Sequence, residues 1–175
     1  MEIRHEQDQD QAAVRDLQTA AFGDTGRVAG LVDALRSDPA TLSLVAVEDG
    51  TVAGHVMFSR CLLDAPRRLV EVWTLSPLGV LPSHQRRGIG QALIRHGLAE
   101  LDKRGEPLVF LEGDPGYYRR SGFLPATDLG FRKPSLRIPD EGFQVYPLAA
   151  HEPWMTGTFV YSAAFWENDA VGLRE

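Results

Sequence analysis

The chain has 175 residues and a mass of 19.3 kDa, the size of one ordinary domain, and its 43% hydrophobic and 24% charged residues exclude a disordered chain. Eighteen basic against 24 acidic residues leave a formal net charge of −6, which opposes attraction to nucleic acid phosphates or anionic lipid. No apolar run approaches the roughly 18 residues of a membrane span, and the opening Met-Glu-Ile-Arg-His-Glu lacks an apolar signal core, so a cytoplasmic protein is expected.

After a short apolar-polar start at Ile3 and His5, Asp8 or Asp10 is placed to cap a helix whose Ala13, Val14, Leu17, Ala20 and Ala21 share one face. It ends near Gly23. A second helix carries the stripe Val28, Leu31, Val32 and Leu35 and is stopped by Ser37-Asp38-Pro39. Leu42 to Glu48 and Thr51 to Leu63 read as strands joined by Asp49-Gly50, a pair suited to the positive φ angles of a two-residue hairpin turn. Leu69 to Leu81 is a further extended run, and its Pro77 and Gly79 predict a bulge or a splayed strand end. From Gly88 to Arg104, Leu93, Ile94, Gly97, Leu98 and Leu101 recur at helical spacing, with Gly105 as the cap. The apolar run Leu108 to Glu112 suits a strand buried on both faces, and a short helix is expected around Tyr117 to Ser121. Phe123 to Phe131, Gly142 to Leu148 and Thr156 to Phe165 are expected as strands in a stretch rich in Pro and Gly. This order predicts an α/β, or α+β, domain with a mixed sheet and helices on both faces, one domain over 1–175 with its core motifs in 69–123.

The lone cysteine, Cys61, excludes an intrachain disulfide, and its apolar surroundings predict a buried small hydrophobe rather than a reactive thiol. The five histidines show no metal-ligand spacing, so no metal is expected. The informative stretch is Val80-Leu81-Pro82-Ser83-His84-Gln85-Arg86-Arg87-Gly88-Ile89-Gly90-Gln91, an extended run that turns through two glycines into a helix. Glycine admits close approach of a ligand to the backbone, helix-start N–H groups favour anions, and Arg86 and Arg87 add charge. A plain helix-start turn with two solvated arginines is the competing reading. The dinucleotide fingerprint needs a third glycine where Leu93 stands, and the P-loop needs Gly-Lys-Ser/Thr, so neither fits.

Gln85-Arg86-Arg87-Gly88-Ile89-Gly90 resembles the phosphate loop Gln/Arg-x-x-Gly-x-Gly/Ala of the GNAT superfamily of acetyl-coenzyme A dependent N-acetyltransferases. Downstream, Tyr117-Tyr118-Arg119-Arg120-Ser121-Gly122-Phe123 resembles the Tyr-x-x-x-Gly-Phe segment of that family, and with Gly113-Asp114-Pro115 the pattern is similar to the bacterial YhbS-like group. The resemblance runs from Ile3 to Phe123 and loosens beyond. It implies a mostly antiparallel sheet whose fourth and fifth strands splay to admit the pantetheine arm. By the same resemblance the backbone of Leu78, Gly79 and Val80 would pair with pantetheine, and Gln85, Arg86, Arg87, Gly88, Ile89, Gly90 and Gln91 would wrap the diphosphate of acetyl-coenzyme A.

Acyl transfer from a thioester to an amine needs a neutral amine, a polarised carbonyl and a proton for the leaving thiolate. Tyr118 matches the family tyrosine that approaches the sulfur and is expected as the acid. For the base, Glu71, Glu112 and a water chain stand as alternatives, while His84 faces solvent. Trp73, Trp154, Trp166, Tyr161 and Phe165 are read either as core or as an aromatic acceptor pocket. The expected acceptor is a small-molecule or peptide amine, with no nucleic acid and no membrane partner, and homodimer formation stays open. The alternatives are an inactive acyl-coenzyme A sensing module and a nucleic acid binder using Arg86, Arg87, Arg119 and Arg120; the net charge opposes the latter.

Overall fold

The structure is a computed structural model that describes residues 1–23 and 26–174. They divide into two units, Met1–Ser59 with Leu75–Gly97 and 60–74 with 98–174. In the first, β1 (Glu2–His5) pairs antiparallel with β2 (Leu42–Glu48), which forms a hairpin with β3 (Thr51–Asp64). The hairpin turns at Asp49 and Gly50, with φ of 47° and 76°, the two positive angles that their residue types favour. β4 (Leu69–Val80) follows β3 in the sheet. Of the stripes read from sequence, helix α1 (Gln11–Phe22) buries Val14 and Leu17 but leaves Ala13 and Ala20 exposed, and α2 (Arg27–Leu35) buries Leu31, Val32 and Leu35 with Val28 half-buried. Asp10 stands at the start of α1 without a side-chain cap bond. Its carboxylate instead accepts Gln7 N–H at 2.8 Å and both Arg4 nitrogens at 2.6 and 3.0 Å, and the guanidinium holds it below the usual carboxylate range.

The long helix α3 (Ile89–Lys103) approaches β3 closely because glycine stands at each contact. A Cβ on Gly54 would lie 2.7 Å from Ile89 Cγ2 and 3.0 Å from Leu93 Cδ1, and one on Gly97 would overlap the Phe58 ring. The side chains so seated, Ile89, Leu93 and Phe58, are all buried.

In the second unit β5 (Leu108–Glu112) pairs parallel with β4 at Trp73↔Val109 and Thr74↔Phe110 only, and antiparallel with β8 (Phe143–Pro147) along its whole length. β6 (Leu124–Pro125) joins β8, while β9 (Gly157–Val160) pairs with β3 and with β7 (Phe131–Arg132). The pairing is mixed and largely antiparallel, as expected. Phe110 stacks on Phe159 and Phe143 and meets Phe131 edge-on, centroids 4.5 to 5.7 Å apart. Two expected strands are corrected. Within Phe123 to Phe131 only β6 and β7 are extended, because Thr127–Leu129 form a 3-10 turn and Phe131 N–H returns to Ala126 O at 3.2 Å. Thr156 to Phe165 is strand only as far as Val160. It then enters helix α5 (Ala163–Glu167), whose Phe165 stacks on Tyr161 at 4.6 Å.

Among the polar groups of the first unit, Gln18 and His55 are wholly buried. Burial, with Arg36 adding to it, pushes the His55 imidazole down to about 3 from 6.5, so it is neutral. Such a group takes up a proton when the chain unfolds. Stability is therefore full above about pH 6.5 and falls as the pH drops toward 3, by up to about 1.4 kcal/mol per unit. Thermal midpoints measured from pH 7 to pH 4 should fall less steeply for His55→Gln than for the wild type; equal slopes would contradict a buried neutral imidazole.

Candidate active site

The loop that follows β4 is braced at both ends in the first unit. Leu81 N–H donates to Ala53 O at 2.9 Å, and the Gln85 amide donates to Val80 O at 3.1 Å, so the carbonyl of Val80 is already engaged. Arg86 has φ of 61° and Gly88 of 82°, with Arg87 between them outside the positive region. Alternation of this kind turns successive N–H groups toward one concavity, the backbone geometry of an anion nest. α3 opens at Ile89, so the N–H groups of Ile89 and Gly90 have no helical carbonyl behind them. Gln85, Arg86, Arg87 and Gly88 are exposed, Ile89 and Gly90 are buried, and Gln91 is half-buried. Arg87 pairs with Glu48 at 3.1 Å, and His84 lies 3.9 Å from the same carboxylate, whereas Arg86 makes no ion pair among the described residues. On β4, Leu78 and Val80 are half-buried and Gly79 is buried.

Tyr118 lies in the second unit, on helix α4 (Pro115–Tyr118), whose N-cap Asp114 accepts Gly116 N–H at 2.8 Å. Its ring rests on the backbone of Gly113, where a Cβ would come 2.5 Å from Tyr118 Cε2. Tyr117 and Phe123 meet it edge-on at 5.0 and 5.9 Å. Burial raises the Tyr118 phenol above its ordinary value, and Tyr117 and Asp114 raise it further. At neutral pH the hydroxyl keeps its proton.

The two carboxylates proposed as bases occupy contrasting environments. Glu71 is exposed and paired with Arg60 at 3.1 Å, at the rim of a cleft of about 450 Å³ whose wall includes Tyr161. Glu112, at the end of β5, is raised above the usual carboxylate range by burial, against the opposing effects of Gly172 N–H at 2.8 Å, the Tyr161 hydroxyl and the nearby Arg137. Tyr161 is itself buried, its hydroxyl donating to Glu112. Thr74 gives its proton to Phe110 O at 3.1 Å.

The aromatic residues divide. Trp73, Tyr161 and Phe165 are core; Trp166 is largely exposed; Trp154 carries Arg67 and Arg68 over its ring, each at 5.2 Å, so its faces already meet cations. Burial pushes the Cys61 thiol up to about 12, which makes it inert. Among the described residues no cluster of His, Cys, Asp and Glu is placed to hold a metal ion, and no helix is long and apolar enough to cross a membrane. Sequence reasoning missed Glu48, Gly54 and the role of Tyr161. An isolated glycine in a strand pattern signals close backbone approach, so Gly54 was findable; Glu48 and Tyr161 act through partners distant in sequence.

The family model for the acetyltransferase (GNAT) domain matches residues 2–126, which include both the loop and Tyr118. The uncharacterized N-acetyltransferase YjhQ of Escherichia coli strain K12 is 37% identical over 136 residues, 75% of this chain and 74% of its own. Among solved structures, the GNAT family N-acetyltransferase YhbS of Escherichia coli, in complex with CoA, matches with a TM-score of 0.84 at 31% identity, over 94% of this chain and 91% of that one. A GNAT family acetyltransferase from Brucella melitensis, in complex with acetyl-CoA, matches with a TM-score of 0.75 at 39% identity, over 94% and 97%. With the nest at Arg86–Gly88 and the half-buried Tyr118 inside the matched stretch, the chain belongs to the GNAT family of acetyltransferases.

Proposed function

We propose that residues 1–175 act as one cytoplasmic N-acetyltransferase domain that moves acetyl from acetyl-coenzyme A directly to a primary amine of a small molecule or peptide. The observation that carries this reading is the loop Gln85–Gly90, with its alternating backbone, helix start and exposed Arg86. The complexes of the YhbS and Brucella relatives with CoA and acetyl-CoA support it. Backbone N–H groups of the loop and Arg86 hold the diphosphate, each contact contributing about 0.3 to 1 kcal/mol, so several must act together. Arg87 contributes less because Glu48 already shares its charge.

In the reaction the amine nitrogen attacks the thioester carbonyl carbon, the carbon–sulfur bond breaks, and the thiolate takes a proton while the nitrogen loses one. Tyr118 is the donor to the sulfur, since its phenol, raised above the ordinary value, stays protonated. Glu112 is the better acceptor for the amine proton. Burial raises its carboxylate above the usual range, which favours proton uptake, whereas Glu71 is exposed and already engaged by Arg60.

Gly88→Glu puts a carboxylate where the diphosphate would sit, and calorimetry should show acetyl-coenzyme A binding abolished in a folded protein; unchanged affinity would remove the loop from the site. Tyr118→Phe should lower kcat by about 100-fold or more with little change in the acetyl-coenzyme A KM, because the hydroxyl acts on charge that appears only as the thiolate leaves. An effect under about threefold, or a larger loss in the control Tyr117→Phe, would assign the acid elsewhere. In pH-rate profiles, Glu112→Gln should flatten the limb that rises with pH while Glu71→Gln leaves it in place. The reverse pattern would make Glu71 the base.

A further inference from the structure

A chain of buried and half-buried polar side chains in the first unit has directions set by one acceptor-only group. The Glu6 carboxylate pairs with Arg36 and also receives the Ser43 hydroxyl. Ser43 has only one proton to give, so the His55 Nε2 facing it at 2.9 Å must carry its own. His55 is neutral, and its Nδ1 is then an acceptor, which turns the Gln18 Nε2 toward it at 2.7 Å. The Gln18 amide oxygen is left pointing the other way. That oxygen is buried, and no N–H or O–H group among the described residues bonds it. It rests against β4 at Gly79, 2.6 Å from where a Cβ would stand, with Leu17 Cδ2 3.0 Å from the same point.

An unpaired buried amide oxygen destabilises the fold, and four side chains are arranged so that it lies on this strand. We infer that Gln18 is a positioning residue. Held by His55, Ser43 and Glu6, its amide oxygen is the stop against which β4 rests at Gly79, and it thereby sets the backbone of Leu78 and Val80 for the pantetheine arm. This inference rests on the proposed use of acetyl-coenzyme A. Alternation along the strand supports it: position 79 faces α1, so Leu78 and Val80 face the opposite side, and the depth of β4 at Gly79 fixes where their peptide groups lie. Only glycine fits at 79 while Gln18 holds this pose.

The test separates the two halves of the cofactor by calorimetry on the full chain, using coenzyme A and 3′-phospho-ADP, which lacks pantetheine. Gln18→Leu and Gly79→Ala should each weaken coenzyme A by about tenfold, the size of coupling seen between residues in contact, and leave 3′-phospho-ADP unchanged. Gln18→Ala with Gly79→Ala should bind coenzyme A more tightly than Gly79→Ala alone, because the smaller side chain makes room for the new methyl. Circular dichroism and thermal midpoints identify variants that fail to fold, and the folded member of the pair decides. Equal losses for both ligands, or no loss for either, would overturn the positioning role. A wild-type protein that binds neither ligand would instead overturn the cofactor reading, and the inference with it.

Discussion

The seating of α3 on β3 is the contact on which the rest of the candidate site depends. Two glycines, Gly54 on the strand and Gly97 on the helix, let the helix come close enough for Ile89, Leu93 and Phe58 to be fully buried. Ile89 is both the residue against Gly54 and the first residue of α3, so the same contact that closes the core locates the helix start. The nest at Arg86–Gly88 is tied to that start from one side and to Val80 and Ala53 from the other. A methyl at position 54 would push on Ile89 and Leu93, which places a sequence-distant residue in control of the loop.

Much of this was legible in sequence because the signals are local. The turn Asp49-Gly50 is written in two residues that tolerate positive φ, and α3 in a recurring apolar spacing ended by Gly105. The loop was legible for the same reason, since its glycines and arginines are contiguous. What was not legible depends on partners far apart in the chain. Tyr161 and Phe165 look like strand residues until one ring is seen to stack on the other, and Asp10 looks like a cap until Arg4 engages it. Glu71 and Glu112 could not be ranked from sequence, because their difference is environment: one is solvated beside Arg60, the other enclosed by Gly172 and Tyr161.

Burial does different chemical work at each ionisable group. At Tyr118 it keeps a phenol protonated, at Glu112 it raises a carboxylate above its usual range, at Cys61 it silences a thiol, and at His55 it removes a charge. The loop shows the opposite arrangement, with Gln85 to Gly88 exposed and Arg86 carrying charge into solvent. In the proposed reaction the charged loop would meet the anion at the surface, while the proton donor and acceptor are half-buried groups.

Acyl transfer is tested most directly by following thiol release from acetyl-coenzyme A by the purified protein across a panel of primary amines, from small polyamines and amino acid derivatives to peptides. Release that depends on both the protein and one class of amine, with acetyl recovered on nitrogen, is predicted. Tight binding of acetyl-coenzyme A with no amine-dependent release anywhere in the panel would contradict an acetyltransferase and leave an acyl-coenzyme A sensing domain.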